Sequence, residues 1–193
     1  MRKRRETLLI HSKLASSRAN GPGERAVIWL QGCPFRCAGC FNPELRKPKA
    51  GKEIGVNELF EWLSNINGIS GLTLSGGEPT EQIPALLPFL KRIREKTTLS
   101  VLLFSGRSIE QITSLSGGNK LLSLVDVLID GRYDPDRANP PGILPSSSNQ
   151  KIHFLTNRYS MADFSNLPFY EVFISEEGEV IETGYREGDT KNS

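Results

Sequence analysis

The run Ala26-Val-Ile-Trp-Leu-Gln31-Gly-Cys33-Pro-Phe-Arg-Cys37-Ala-Gly-Cys40 decides how the rest of the chain is read. Its first six residues form an apolar stretch of strand length, the pattern of a strand buried on both faces. The stretch breaks at Gly32 and enters a loop that carries all three cysteines of the chain within eight residues. Buried strands that end in chemistry-bearing loops belong to parallel α/β sheets, which place their sites at the carboxyl ends of strands. Three thiolates form an incomplete ligand set. Structural zinc and iron-sulfur sites are closed by four protein ligands, whereas a site that does chemistry keeps one position open.

Working outward, further apolar runs of strand length lie at Leu8 to His11, Gly71 to Leu74, Leu99 to Phe104, Val125 to Ile129, Ile152 to Leu155 and Glu171 to Ile174. Helical spacing falls between several of them: Val56 to Asn65, Thr80 to Lys96, and Ser108 to about Leu124 with a break at Gly117-Gly118. Thr80 and Ser108 suit the N-cap positions of the second and third helices. Strands alternating with helices predict an α/β fold. A chain of 193 residues is shorter than the roughly 250 of a full eight-stranded barrel, so the expectation is a partial, open barrel of mostly parallel strands. Cys33 to Glu53 and Gly131 to Gln150 lack a regular pattern and read as functional loops.

Composition bounds the rest. The 37% hydrophobic content fits one globular domain over residues 1–193, with residues 1–6 and 187–193 as flexible tails. Lys and Arg number 24 against 22 Asp and Glu, a balance that argues for neither nucleic acid nor an acidic membrane surface. The basic opening Met1-Arg-Lys-Arg-Arg5 is followed only by the short apolar Thr7-Leu-Leu-Ile10, too short for a signal-peptide core or a membrane span. A cytoplasmic protein is expected, in which clustered cysteines bind metal rather than pair.

Two other strand ends carry chemistry. In Leu74-Ser-Gly-Gly-Glu-Pro-Thr80 the glycines allow backbone to approach a ligand and Glu78 offers a carboxylate to a cation, although the same residues make a plain strand-to-helix turn. The Lys-Ser/Thr pair of a phosphate-binding P-loop is absent. Phe104-Ser-Gly-Arg107 precedes a helix start, where free N–H groups meet ribose or carboxylate oxygens. Asp126 reads as a strand-edge residue. The alternative for the cysteines is a structural zinc site closed by His11 or His153, neither of which stands at zinc-module spacing.

The C-x3-C-x2-C spacing resembles the signature of the radical S-adenosylmethionine enzymes. That resemblance implies a 4Fe-4S cluster on Cys33, Cys37 and Cys40, with the open iron chelated by the amino and carboxylate groups of S-adenosyl-L-methionine. It also implies reductive cleavage to a 5'-deoxyadenosyl radical that abstracts hydrogen. Asn20-Gly-Pro-Gly-Glu-Arg25, Trp29-Leu-Gln-Gly-Cys33 and Cys40-Phe-Asn-Pro-Glu44 resemble the anaerobic ribonucleotide reductase activases and related glycyl-radical-enzyme activases. The likeness spans about residues 8 to 183. Before the last cysteine stands Gly39, as in the reductase-activase branch, in place of the aromatic residue of many radical enzymes, and Phe41 or Phe35 takes the place beside the adenine.

By the same resemblance Ser75, Gly76, Gly77 and Glu78 hold the methionyl amino group. Ser105 and Gly106 match part of a Thr-Gly-Tyr cofactor motif from which Arg107 departs. Asp130-Gly131 resembles the segment entering the loop over the active site. Ser147-Ser-Asn149-Gln-Lys151 resembles a Gly-Ser-x-Asn-Gln-Arg stretch, with Pro145-Ser146 where the family has Arg-Gly. Asp130 and Asn149 thereby join the expected cofactor contacts.

All three thiols are taken by the first cluster, so none remains for an auxiliary one. An open barrel also cannot surround a radical unaided, and a protein substrate supplies the missing cover. The resemblance therefore implies an activase acting on a glycyl-radical enzyme, with a flavodoxin or ferredoxin-type electron donor. Two alternatives stay open on sequence: a radical enzyme that modifies a small molecule or peptide, and a non-catalytic metal-binding interaction module.

Overall fold

The computed structural model describes residues 6–47, 50–174, 178 and 180–184. In chain order the elements are β1 (Thr7–Ser17), β2 (Arg25–Leu30), β3 (Lys52–Gly55), α1 (Val56–Ser64), β4 (Gly71–Gly76), α2 (Ile83–Lys96) and β5 (Ser100–Ser105). There follow α3 (Ile109–Ser114), α4 (Gly118–Leu122), β6 (Val127–Asp130), β7 (Lys151–Phe154), β8 (Tyr170–Ile174) and β9 (Val180–Gly184).

Seven strands form one sheet in the order β3-β1-β2-β4-β5-β6-β7. The four central strands β2, β4, β5 and β6 run parallel, and they are the ones whose residues are almost wholly buried, as their unbroken apolar runs require. The flanks are antiparallel: β1 pairs with β2 and β3, and β7 with β6. Among the described residues β3 and β7 do not pair with each other. The arrangement is an open α/β sheet with a parallel centre and no closed barrel.

Alternation along the strands divides the core. Ala26, Ile28, Leu30, Leu72, Leu74, Val101, Leu103 and Leu128 face the helices, where α1 contributes Leu59 and Leu63 and α2 contributes Leu86, Phe89, Leu90 and Ile93. Each such buried side chain contributes roughly 1.5–3 kcal/mol. The opposite face holds a smaller core of Leu102, Val127, Ile129 and Phe164. Among the described residues the α-helices thus cover one face of the sheet, while a 3-10 turn over Met161–Phe164 brings Phe164 to the other. No helix among the described residues is long and apolar enough to cross a membrane.

The amino end of the sheet is tied by two buried charges. Arg25, fully buried, donates to Thr73 Oγ1 and Leu72 O at 2.8 Å and to Ser100 Oγ at 3.0 Å; burial lowers its pKa. Asp126, read above as a strand-edge residue, is only 1% exposed just before β6. It accepts from Arg94 Nη2 and Val101 N at 2.7 Å and from Thr156 Oγ1 at 2.8 Å.

Several details depart from the sequence expectation. Ser108 caps α3 through a capping box with Gln111, but Thr80 caps no helix. The chain after β4 makes a 3-10 turn over Pro79–Gln82, capped by the Glu78 side chain, and α2 begins only at Ile83. The helix break at Gly117-Gly118 is found, with Gly117 at φ +84°. β3 lies at the end of the stretch expected to be irregular, and β8 pairs with β9 outside the main sheet. Of the expected tails, residues 1–5 and 187–193 fall outside the described residues, whereas Glu6 O accepts from Val56 N at 2.9 Å.

Candidate functional site

The cysteine loop leaves β2 through Gln31, a polar side chain 2% exposed. Its amide spans the loop: Nε2 donates to Glu44 O at 3.0 Å and Lys47 O at 2.7 Å, while Oε1 meets His11 Nδ1 at 3.1 Å. Gly32 N donates to Leu45 O at 2.7 Å, so the segment after Cys40 is folded back onto the residue before Cys33. Gln82, half-buried, adds a second amide, donating to Gln31 O at 3.1 Å and exchanging two bonds with the Leu9 backbone. Neither glutamine was singled out in the sequence; the one signal was a lone polar residue closing an apolar strand.

Gly76 and Gly77 make a close approach, but to protein backbone. Gly76 sits at φ +101°, and a Cβ there would stand 2.5 Å from Leu30 N. A Cβ on Gly77 would overlap Gly32 O. The ladder with β2 therefore runs past the strand ends, Gly77 N donating to Leu30 O at 2.7 Å and Glu78 N to Gly32 O at 2.9 Å. The two glycines fix the shelf at the end of β4 against the entry to the cysteine loop.

Glu78 is 1% exposed and spends its carboxylate inside the protein. Oε1 accepts from Thr80 N, Thr80 Oγ1 and Ser105 Oγ at 3.1, 2.7 and 2.8 Å, and Oε2 accepts from Gly106 N at 2.8 Å. It clasps the end of β5 to the end of β4. The N–H groups expected to be free after β5 are consequently in use: Gly106 N by Glu78, Arg107 N by Ser105 Oγ at 3.1 Å, Ser108 N by Gln111 and Ile109 N by Asp130. Ser75, by contrast, makes no side-chain hydrogen bond to a described residue.

These elements border one cavity of about 660 Å³, within the range of small-molecule sites. Cys33, Cys37 and Cys40, all free and half-buried, line it together with Ser75, Gly76, Gly77, Glu78, Ser105 and Gly106. Trp29 and Phe104 project into it from the sheet. Asp130 and Asn149 do not line it. The Asp130 side chain lies on the helix side, accepting from Ile109 N at 2.7 Å and facing His153 Nε2 at 3.0 Å without hydrogen-bond alignment. Asn149 Nδ2 donates to Arg132 O at 2.8 Å. His153 does not line the cavity that the thiols line. His11 lines the cavity with Nδ1 held by Gln31.

Phe35 and Phe41, the two aromatics of the loop, are both engaged. Phe35 lies over Gly106 between two guanidiniums, Arg132 Cζ at 4.2 Å and Arg107 Cζ at 5.2 Å from the ring centroid. Phe41 packs against Tyr133 in a tilted pair with ring centroids 4.8 Å apart. The 131–150 segment thus leans on the cysteine loop.

The electrostatics suit a cation. Burial, with added repulsion from Glu78, Cys37 and Cys40, pushes the Cys33 thiol above its ordinary pKa. Burial and Cys40 push Cys37 up as well, against Arg132 and Arg46. Thiols that resist ionising together are relieved by a multivalent metal, which deprotonates them outright. Among the described residues no three thiol, imidazole or carboxylate groups already stand in metal-ligand geometry. The donor set fits an iron-sulfur centre: three thiols from one loop, no fourth cysteine, and a cavity beside them.

Comparison with known proteins agrees. The family model described as a 4Fe-4S single cluster domain matches residues 19–153. The anaerobic ribonucleoside-triphosphate reductase-activating protein of Pasteurella multocida (strain Pm70) is 30% identical over 144 residues, covering 71% of this chain and 91% of the relative. The protein of that name from Enterobacteria phage T4 is 36% identical over 141 residues, 69% and 85% of the two chains. That of Escherichia coli (strain K12) is 28% identical over 143 residues, 70% and 92%. With its cysteine loop, the Gly76–Gly77 shelf and these matches, the chain belongs to the 4Fe-4S single cluster domain family that includes the anaerobic ribonucleoside-triphosphate reductase-activating proteins.

Proposed function

We propose that this chain is a radical S-adenosylmethionine activase that installs a glycyl radical on a partner of the anaerobic ribonucleoside-triphosphate reductase kind. One observation carries the reading: the three thiols and the Gly76–Gly77–Glu78 shelf border one cavity at the carboxyl ends of neighbouring strands. In this reading Cys33, Cys37 and Cys40 hold a 4Fe-4S cluster, and S-adenosylmethionine lies against Ser75 and the glycine shelf. When bound, the pair supplies a 5'-deoxyadenosyl radical by one-electron cleavage of the sulfonium.

The protein's own part is placement and exclusion of water. The ladder from Gly77 N and Glu78 N to Leu30 O and Gly32 O keeps the shelf in register with Cys33. Glu78, its oxygens bonded within the fold, attracts the methionyl ammonium through space. Trp29 and Phe104 exclude water from the cavity wall on the sheet side. Asp130 and Asn149 act as supports, one fixing the start of α3 and the other holding the Arg132 carbonyl. The face of the sheet opposite the α-helices is read as the mouth of a partial barrel that the partner covers. A flavodoxin or ferredoxin-type carrier in the cytosol supplies the electron.

Anaerobic reconstitution with iron and sulfide tests this. The expected result is a 4Fe-4S chromophore, release of 5'-deoxyadenosine on reduction, and a glycyl-radical doublet in the electron paramagnetic resonance spectrum of the reductase. Replacing any one of Cys33, Cys37 or Cys40 by alanine is expected to abolish cluster retention and nucleoside release. Tight zinc without cleavage would establish the non-catalytic module instead, and cleavage without a glycyl radical another radical enzyme.

A further inference from the structure

The β8–β9 hairpin lies beyond residue 153, where the family match ends, yet it walls the cavity. Its register places Glu171 opposite Thr183, and Val172 opposite Glu182 with Ile174 opposite Val180. Alternation therefore gives it two unlike faces.

The Glu171 face is pinned to the end of β1. Glu171 accepts from Ser17 Oγ at 2.5 Å, Arg18 N at 3.0 Å and Ala19 N at 2.9 Å, and Asn20 Nδ2 donates to Thr183 Oγ1 at 2.8 Å. The other face is apolar and turned outward, with Ile174 at 72%, Val180 at 59% and Val172 at 49% exposed. Phe169 and Ile143, also half-exposed, extend it, the backbone at Gly142 lying close to the Phe169 side chain. A pinned two-stranded sheet that presents branched aliphatics to water marks a surface that is covered in use.

We infer that this face docks the protein substrate itself, an apolar segment flanking the glycine that receives the radical; the inference rests on the activase reading above. The patch is continuous with the cavity, because Phe169 and Val180 belong to both. A protein whose backbone glycine must reach that cavity necessarily covers its rim. A membrane is the poorer occupant, since an anionic lipid surface calls for lysine or arginine around the apolar residues, and among the described residues of the hairpin the apolar face carries Glu182 instead. The hairpin is thus the element by which this chain selects its partner, while the cluster and cofactor residues lie within the matched domain.

The test pairs binding with chemistry, using the full reconstituted protein and, as probe, the anaerobic ribonucleoside-triphosphate reductase of the same organism. The double variants Val172→Thr/Ile174→Thr and Val172→Lys/Ile174→Glu remove the apolar surface at exposed strand positions outside the cavity lining. Both are expected to release 5'-deoxyadenosine from S-adenosylmethionine at the wild-type rate. Both are expected to bind the reductase about tenfold or more weakly, with a matching loss of glycyl-radical yield at limiting reductase. Wild-type affinity in both variants overturns the docking role and leaves the activase reading intact. A wild-type chain that neither binds nor activates the reductase overturns both. Self-association of the wild type that both variants abolish, with reductase binding unchanged, assigns the face to a second copy of this chain and overturns the proposal.

Discussion

At the scale of single residues, Glu78 shows how one side chain serves structure where sequence suggests a ligand. A carboxylate at a strand end beside a glycine pair invites a cationic ligand, yet its hydrogen bonds to described residues run to Thr80, Ser105 and Gly106. Those bonds join two adjacent strand ends across a gap that the sheet ladder no longer bridges. Glu78→Gln keeps the shape and places an amide NH2 where every partner is already a donor, so one donor faces another in either orientation. The expected cost is about 1–3 kcal/mol of stability, read by urea denaturation of the cluster-free protein. A glutamate serving the cofactor alone leaves that measurement unchanged, so the experiment separates the two roles.

At the scale of elements, the cysteine loop is a long irregular segment held in shape by the side-chain amides of Gln31 and Gln82. Gln31 bridges Glu44 O and Lys47 O from a position directly before Gly32. Gln31→Leu preserves the bulk and removes the bridge, freeing the segment after Cys40. We expect the loop to become sensitive to protease and the iron to be held about tenfold less tightly, as for other groups that orient metal ligands; chelator competition measures it. The same loop marks the limit of what the sequence reveals. The four parallel strands were legible because burial on both faces forces unbroken apolar runs, and Ser108 was legible because a cap needs only its own turn. The glycine pair was found, but its partner was not: close approach to Gly32 depends on the register of two strands distant in sequence. β3 escaped because an edge strand with a single buried residue, Ile54, has no apolar pattern to display. Asp130 was placed correctly at a strand end, but which face its side chain takes is set by pairing, and pairing turned it to α3 rather than to the cavity.

At the scale of the whole molecule, the cavity end of the sheet is open and loop-built, so cohesion falls to the opposite end. There Asp126 ties α2 through Arg94, β5 through Val101 N and the segment after β7 through Thr156, with Arg158 Nε at 3.6 Å. Burial works to raise its pKa, but the Val101, Arg94 and Thr156 hydrogen bonds outweigh it and hold the carboxyl below its ordinary value. A depressed folded-state pKa means that Asp126 stabilises the fold fully above the unfolded value of about 3.9. That contribution is lost as the pH falls through the folded value. Asp126→Asn should therefore lower stability by about 2–3 kcal/mol at neutral pH, the loss of charge-assisted bonds to Arg94 and Val101. For a chain of this length that corresponds to a drop of roughly 5–10 °C in melting temperature. Because the variant has no carboxylate to protonate, the gap between its melting curve and that of the wild type should narrow on acidification below about pH 4. A gap that stays constant down to pH 2 would mean that the ionised form of Asp126 is not what holds the amino end of the sheet together.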